Sequence, residues 1–117
     1  MILGVFSDVQ GDFPRLEKVL KELEKTDYNI LLGDILKNGD SSEEDRCISL
    51  LRKNKVFIVK GDHDSSDLPA SKFHEENIKY MKILPSEFFL GNEYLFLHSL
   101  DKDLDRKINP EKAGEYW

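Results

Sequence analysis

The sequence predicts an α/β layered fold with a largely parallel sheet, on three observations. Short apolar runs of strand length recur at residues 2–6, 28–32 and 56–59. Each is followed at once by a polar loop that carries an aspartate, and amphipathic helical patterns separate the runs from one another. Continuous rather than alternating apolar character is what strands buried on both faces of a parallel sheet require.

The first run, Ile2-Leu3-Gly4-Val5-Phe6, gives way to Ser7-Asp8-Val9-Gln10-Gly11-Asp12. A helix is expected from Asp12, which can cap it; Pro14 is tolerated in the first turn, and Leu16, Val19, Leu20 and Leu23 recur at i, i+3, i+4 and i+7. The second run ends in Gly33-Asp34, after which Ser41-Ser42-Glu43-Glu44-Asp45 reads as a capping-box start for a helix that buries Ile48 and Leu51. The third ends in Lys60-Gly61-Asp62-His63-Asp64. Residues 67–77 are polar and irregular, residues 78–84 are predicted as a short strand broken by Pro85, and residues 87–90 and 93–98 form a hairpin about Gly91-Asn92. An acidic loop at 101–105 precedes a helix start at Asn109-Pro110-Glu111. Neither repeats nor low-complexity segments interrupt the chain, so residues 1–117 are expected to form a single domain.

Composition narrows the function. The 117 residues are 39% hydrophobic and 34% charged, an ordinary globular balance. No apolar run approaches the ~20 residues that cross a bilayer, and the first six residues are too short for a signal peptide's hydrophobic stretch. The single cysteine, Cys47, has no partner for a disulfide or a zinc knuckle, so a soluble chain in the reducing cytoplasm is expected. With 23 acidic against 17 basic side chains and no basic block interleaved with aromatics, non-specific nucleic-acid binding is not expected. Neither Gly-x-Gly-x-x-Gly nor a Gly-Lys-Ser/Thr phosphate loop is present, which removes dinucleotide and NTPase readings.

In a parallel α/β sheet, functional groups collect in loops at the carboxyl ends of the strands. Here those ends deliver Asp8 with Gln10, Asp34, Asp62 with His63, and His98. One such aspartate alone is ordinarily a turn or helix cap. Several carboxylates with an amide oxygen and imidazoles at one edge repel one another or stay unsatisfied unless a cation or phosphate chemistry organises them.

In order and spacing these residues resemble the calcineurin-like metallophosphoesterases. Ser7-Asp8-Val9-Gln10-Gly11-Asp12 resembles that family's Asp-x-His-Gly, Gly33-Asp34 its Gly-Asp, Gly61-Asp62-His63-Asp64 its Gly-Asn-His-Asp, and Leu97-His98-Ser99 its strand-terminal His, over residues 1 to about 100. Two positions depart from the pattern. Gln10 stands where the family usually has His, as in manganese-dependent ADP-ribose and CDP-alcohol diphosphatases, and Asp62 replaces Asn, keeping an oxygen donor while adding negative charge.

The resemblance implies a layered α/β/β/α sandwich, incomplete at the C-terminus, because the family's last Gly-His-x-His block would follow the helix beginning near Pro110. It implies that Asp8 and Gln10 bind a first metal, Asp34 bridges, and Asp62 and His98 bind a second. Two divalent ions ~4 Å apart would then activate a water against a phosphomonoester or phosphodiester. His63 would protonate the leaving oxygen, with Asp64 orienting its imidazole. Oxygen and imidazole donors suit Mn²⁺, with Fe or Zn²⁺ as alternatives. A rival reading is a degenerate or partial member with a binding or assembly role and little catalysis. A haloacid-dehalogenase-type phosphatase is disfavoured, because its second acid falls at Gln10.

Other residues carry plainer readings. His74 is expected to be a solvated surface histidine, Cys47 a small core residue, and Phe88, Phe89, Tyr94 and Phe96 hairpin packing. Lys37 and Asn38, just past Asp34, are expected in a solvated loop, although they are placed where a substrate phosphate could be met. In the family a second sheet covers the first, so Phe88, Leu90, Tyr94 and Phe96 are expected to leave one face uncovered. The chain is therefore expected either to be the front part of a longer protein or to pair with a copy of itself through the hairpin region.

Overall fold

A computed structural model of the chain describes residues 1–61, 64, 67–91 and 94–97. Strand β1 (Leu3–Phe6), helix α1 (Phe13–Glu22), β2 (Tyr28–Leu31), α2 (Ser42–Lys53) and β3 (Phe57–Ile58) alternate as expected. They are followed by helix α3 (Glu75–Lys82) and the strands β4 (Glu87–Leu90) and β5 (Tyr94–Leu97). The first three strands form a parallel sheet in the order β1-β2-β3, with Val5 opposite Ile30 and Leu31 opposite Ile58. The last two form an antiparallel hairpin. Its register pairs Leu90 with Tyr94, whereas the two-residue turn expected at Gly91-Asn92 would set Leu90 opposite residue 93.

The helices cover one sheet face. Leu16 and Leu20 of α1 and Cys47, Ile48 and Leu51 of α2 pack with Leu31 and Ile58 into the core, which Ile35, Leu36, Leu68, Phe73 and Met81 complete. Cys47 is a core residue, its thiol pushed up to about 12 by burial and then by the nearby carboxylates of Glu43, Asp12 and Glu44.

The opposite face is covered unevenly. Ile30 and Val59 are fully buried, but Val5 is 47% and Phe57 40% exposed, which corrects the expectation that the first run is buried on both sides. The reason is the cover available. Among the described residues an aromatic chain reaches this face near β3, where Phe88 stacks on Phe57 at 4.9 Å, with Tyr28 and Phe96 as the next rings at either end. Phe88, Leu90 and Phe96 are half-buried, while Tyr94 and, on the other hairpin face, Phe89 are exposed.

Residues 78–84 are not a strand; most of them lie in α3, which runs over Glu75–Lys82. Asn77 and Met81 fall one turn apart and are both buried, Glu75 and Glu76 occupy the first turn, and Lys79 and Lys82 the last. The apolar run is therefore one stripe of a helix rather than a sheet segment, and Ile83 beyond it is exposed. His74 has no side-chain cap of its own for α3. Its backbone N–H instead donates to Asp45 Oδ1 of α2 at 3.0 Å, and its ring Nδ1 lies 2.5 Å from Asp45 Oδ2. The imidazole is solvated as expected, but it is paired.

Helix α2 begins with the expected capping box. Ser41 Oγ accepts from the Glu44 N–H at 3.2 Å, and Glu44 Oε1 accepts from the Ser41 N–H at 2.9 Å. The Glu44 carboxylate does more than cap: it also accepts the backbone N–H groups of Lys37, Gly39 and Asp40 at 2.9 to 3.0 Å. Burial alone would raise its pKa, but these bonds outweigh burial and hold it below the ordinary 4.5. Asp45 behaves alike: burial opposes its charge, and Asn77 and His74 overcome that to hold it below 3.8.

Because both groups are more acidic folded than unfolded, their stabilisation is complete above their ordinary values and is lost as pH falls through the lower folded ones. Glu44→Gln should cost at least about 2 kcal/mol at neutral pH, since an amide leaves part of the N–H array without an acceptor. It should also flatten the fall of stability below pH 4.5, as read from urea unfolding at several pH values.

Candidate metal centre

The loops that leave the strand ends are laced edge to edge. The sheet ladder continues past its last pair with Leu32 N–H donating to Phe6 O at 2.8 Å. Beyond it, Asp8 N–H donates to Gly33 O at 3.2 Å, Gln10 N–H to Asp34 O at 2.9 Å and Gly11 N–H to Ile35 O at 2.8 Å. The loop after β1 therefore runs beside the loop after β2, and Asp8, Gln10 and Asp34 are brought to one edge.

All three have left-handed backbones, with φ of 56° at Asp8, 48° at Gln10 and 57° at Asp34. Aspartate tolerates that region and glutamine does so less readily; such strain, on the order of 1 kcal/mol or more per residue, persists where surrounding structure imposes it and gathers at functional sites. Asp8 and Gln10 are exposed, with the Ser7 hydroxyl donating to Asp8 Oδ2 at 3.2 Å. Asp34 is only 5% exposed.

The loop after β3 joins the other two through a close approach of two glycines. A Cβ on Gly33 would fall 2.6 Å from Gly61 Cα, and one on Gly61 would collide with the Asp34 amide nitrogen and carboxylate. Next to them Asp64, 6% exposed, accepts from Asp34 N–H at 3.0 Å and Gly61 N–H at 2.8 Å on Oδ2, and from Leu36 N–H at 3.1 Å on Oδ1. Burial raises its pKa, the three backbone donors pull against that, and the Asp34 carboxylate adds a push upward.

Of the residues expected to form the site, Asp8, Gln10, Asp34 and Asp64 are thus gathered at one end of the sheet. Asp62, His63 and His98 lie outside the described residues. Among the described residues no three His, Cys, Asp or Glu side chains form a metal-holding group by themselves. Lys37 and Asn38 are exposed, as expected. Glu44 and Asp64 hold backbone amides that the sequence does not foretell, while the expected pairing of Asp64 with His63 falls on a residue outside those described. Glu44 carried a signal, the capping box, which foretold one of its bonds to backbone; the partners of Asp64 on β2's loop lie some thirty positions earlier and leave no local trace.

The family model for calcineurin-like phosphoesterases matches residues 1–115. The chain belongs to that family. No curated protein matches it. Among solved structures it is similar to a metallophosphoesterase from Sphaerobacter thermophilus, with a TM-score of 0.61 and 24% identity over 79% of this chain. That likeness is one of fold. The match takes in 44% of the neighbour, so this phosphoesterase-family chain spans less than half of that protein's length.

Within the family frame, the glycine contact sets a limit on side-chain volume. Gly61→Ala should lower stability by about 1–3 kcal/mol through overpacking against the Asp34 backbone, measured by chemical denaturation. An equal substitution at Gly91, where an added Cβ meets nothing within 4 Å, should cost less, although its φ of 63° carries its own penalty.

Proposed function

We propose that the protein is a metal-dependent phosphoesterase acting on a phosphomonoester or phosphodiester. The observation that carries this reading is the shared edge of Asp8, Gln10 and Asp34, each held in a left-handed backbone. Their chemistry fits a divalent ion. One buried carboxylate, one exposed carboxylate and an amide oxygen are hard donors of the kind divalent ions take. In this reading Asp8 and Gln10 would hold one ion, Asp34 would serve both, and Asp62 and His98 would hold the other, with Mn²⁺ preferred over Fe or Zn²⁺.

When bound, such ions supply Lewis-acid charge and lower the pKa of a water. His63 donates a proton to the leaving oxygen, which matters most when that oxygen is a poor leaving group. Support comes from the laced loops, which hold the backbones of Asp8, Gln10 and Asp34 side by side and so limit the reorganisation that a reaction there would need. Gln10 and Asp62, departing from the family's His and Asn, favour a second reading: a member that keeps the fold and serves in binding or assembly.

Metal stoichiometry separates the two. Wild-type protein should take up Mn²⁺ stoichiometrically and Asp34→Asn should take up none, while Glu17→Gln on the exposed side of α1 behaves as wild type, by elemental analysis after gel filtration. Equal metal in wild type and Asp34→Asn would rule out Asp34 as the bridge. His63→Ala should retain its metal and lose ~10² or more in turnover of an alkyl phosphoester, and less with p-nitrophenyl phosphate, whose leaving group scarcely needs an acid. Loss of metal in that variant would make His63 a ligand instead.

A further inference from the structure

Asp34 is held in its left-handed conformation from both sides. Its own N–H points to Asp64 Oδ2 at 3.0 Å, its carbonyl accepts from Gln10 N–H at 2.9 Å, and two residues on Leu36 N–H points to Asp64 Oδ1 at 3.1 Å. The peptide planes on each side of Asp34 are therefore both anchored, which determines its φ and ψ. One anchor comes from the neighbouring loop's backbone, the other from the Asp64 side chain. That same carboxylate takes Gly61 N–H at 2.8 Å and so joins the loop after β3 to the loop after β2.

We propose that Asp64 is a positioning residue, a clip that acts through the backbone of Asp34 to present that carboxylate to a divalent cation in one conformation. The inference rests on the reading of Asp34 as a metal ligand. Residue type supports it: three N–H donors converge on two oxygens, and only a carboxylate is acceptor on both. An amide of the same shape has one oxygen and must turn an NH₂ group toward at least one of the donors. A hydrophobic side chain there would leave all three N–H groups without this acceptor, in a place where Gly33 and Gly61 have no room for an added side-chain carbon.

A loop staple that served stability alone would look similar, so the test needs a buried carboxylate of comparable burden elsewhere. Asp45 supplies it: it is equally buried, and it accepts from His74 N–H and from Asn77 Nδ2 at 2.8 Å between α2 and α3, away from the laced loops. In the full chain, Mn²⁺ affinity is measured by electron paramagnetic resonance titration for wild type, Asp64→Asn and Asp45→Asn, alongside thermal unfolding. Asp64→Asn should bind Mn²⁺ at least ~10-fold more weakly and exchange the Asp34 and Leu36 amide protons at least ~10-fold faster without metal; Asp45→Asn should lose stability and keep wild-type affinity. Wild-type affinity in Asp64→Asn, or weakening in both variants in step with stability, overturns the positioning role alone. A wild-type chain that takes up no Mn²⁺ overturns the metal reading and this inference with it. Should Asp64→Asn fail to fold, amide exchange of the wild type decides: Asp34 and Leu36 protected like Leu31 of β2 support the clip, and exchange at the rate of an exposed loop overturns it.

Discussion

Peptide N–H groups that leave a sheet need acceptors, and in this protein two buried carboxylates supply them where the strands end. Asp64 takes the amides of residues 34, 36 and 61, and Glu44 those of residues 37, 39, 40 and 41. An amide left in a dry loop costs about as much as a lost hydrogen bond, so a segment with this many amides turned inward needs acceptors, which here are carboxylate oxygens. Most of the path from Asp34 to the start of α2 is held this way. Cγ of Glu44 also lies 2.7 Å from where a side chain on Gly11 would begin, so the same side chain leaves no room for a Cβ in the loop after β1.

This arrangement shows how a short sheet can carry strained residues. β3 is only two residues long, and the parallel ladder between it and β2 is correspondingly brief. Most of the rigidity at the strand ends comes from loop-to-loop bonds that extend the ladder past the strands, and from the glycine contact that brings the second and third loops together. Left-handed conformations at Gln10 and Asp34 are each flanked by backbone bonds on both sides, and that at Asp8 is held through its own N–H to Gly33 O.

The sheet's two faces have different fates. The helical face is closed by α1 and α2, with α3 alongside and tied to α2 through Asp45, Asn77 and Arg52, whose guanidinium donates to Asn77 Oδ1 at 3.0 Å. The other face carries an aromatic chain from Tyr28 through Phe57 to Phe88 and Phe96, with Val5 and Tyr94 left partly open among the described residues. The helical side holds the strands in register, and the strand ends then hold the candidate ligands.

The sequence by itself determined the alternation of strands and helices, because apolar runs followed by polar loops and a 3.6-residue apolar stripe are local patterns set by burial on one side of each element. It also singled out Asp8, Gln10 and Asp34, since residues just past parallel strands must reach the same edge. Residues 78–84 read as a strand by sequence because Ile78, Tyr80, Met81, Ile83 and Leu84 crowd into a short segment that either element could bury; contact of Asn77 and Met81 with the rest of the protein selected the helix. Only the tertiary structure decided what Asp64 and Glu44 do. A carboxylate's choice of partners depends on which backbone amides the fold turns inward beside it, and the amides of residues 34 and 36 meet Asp64 only once β2 and β3 have paired.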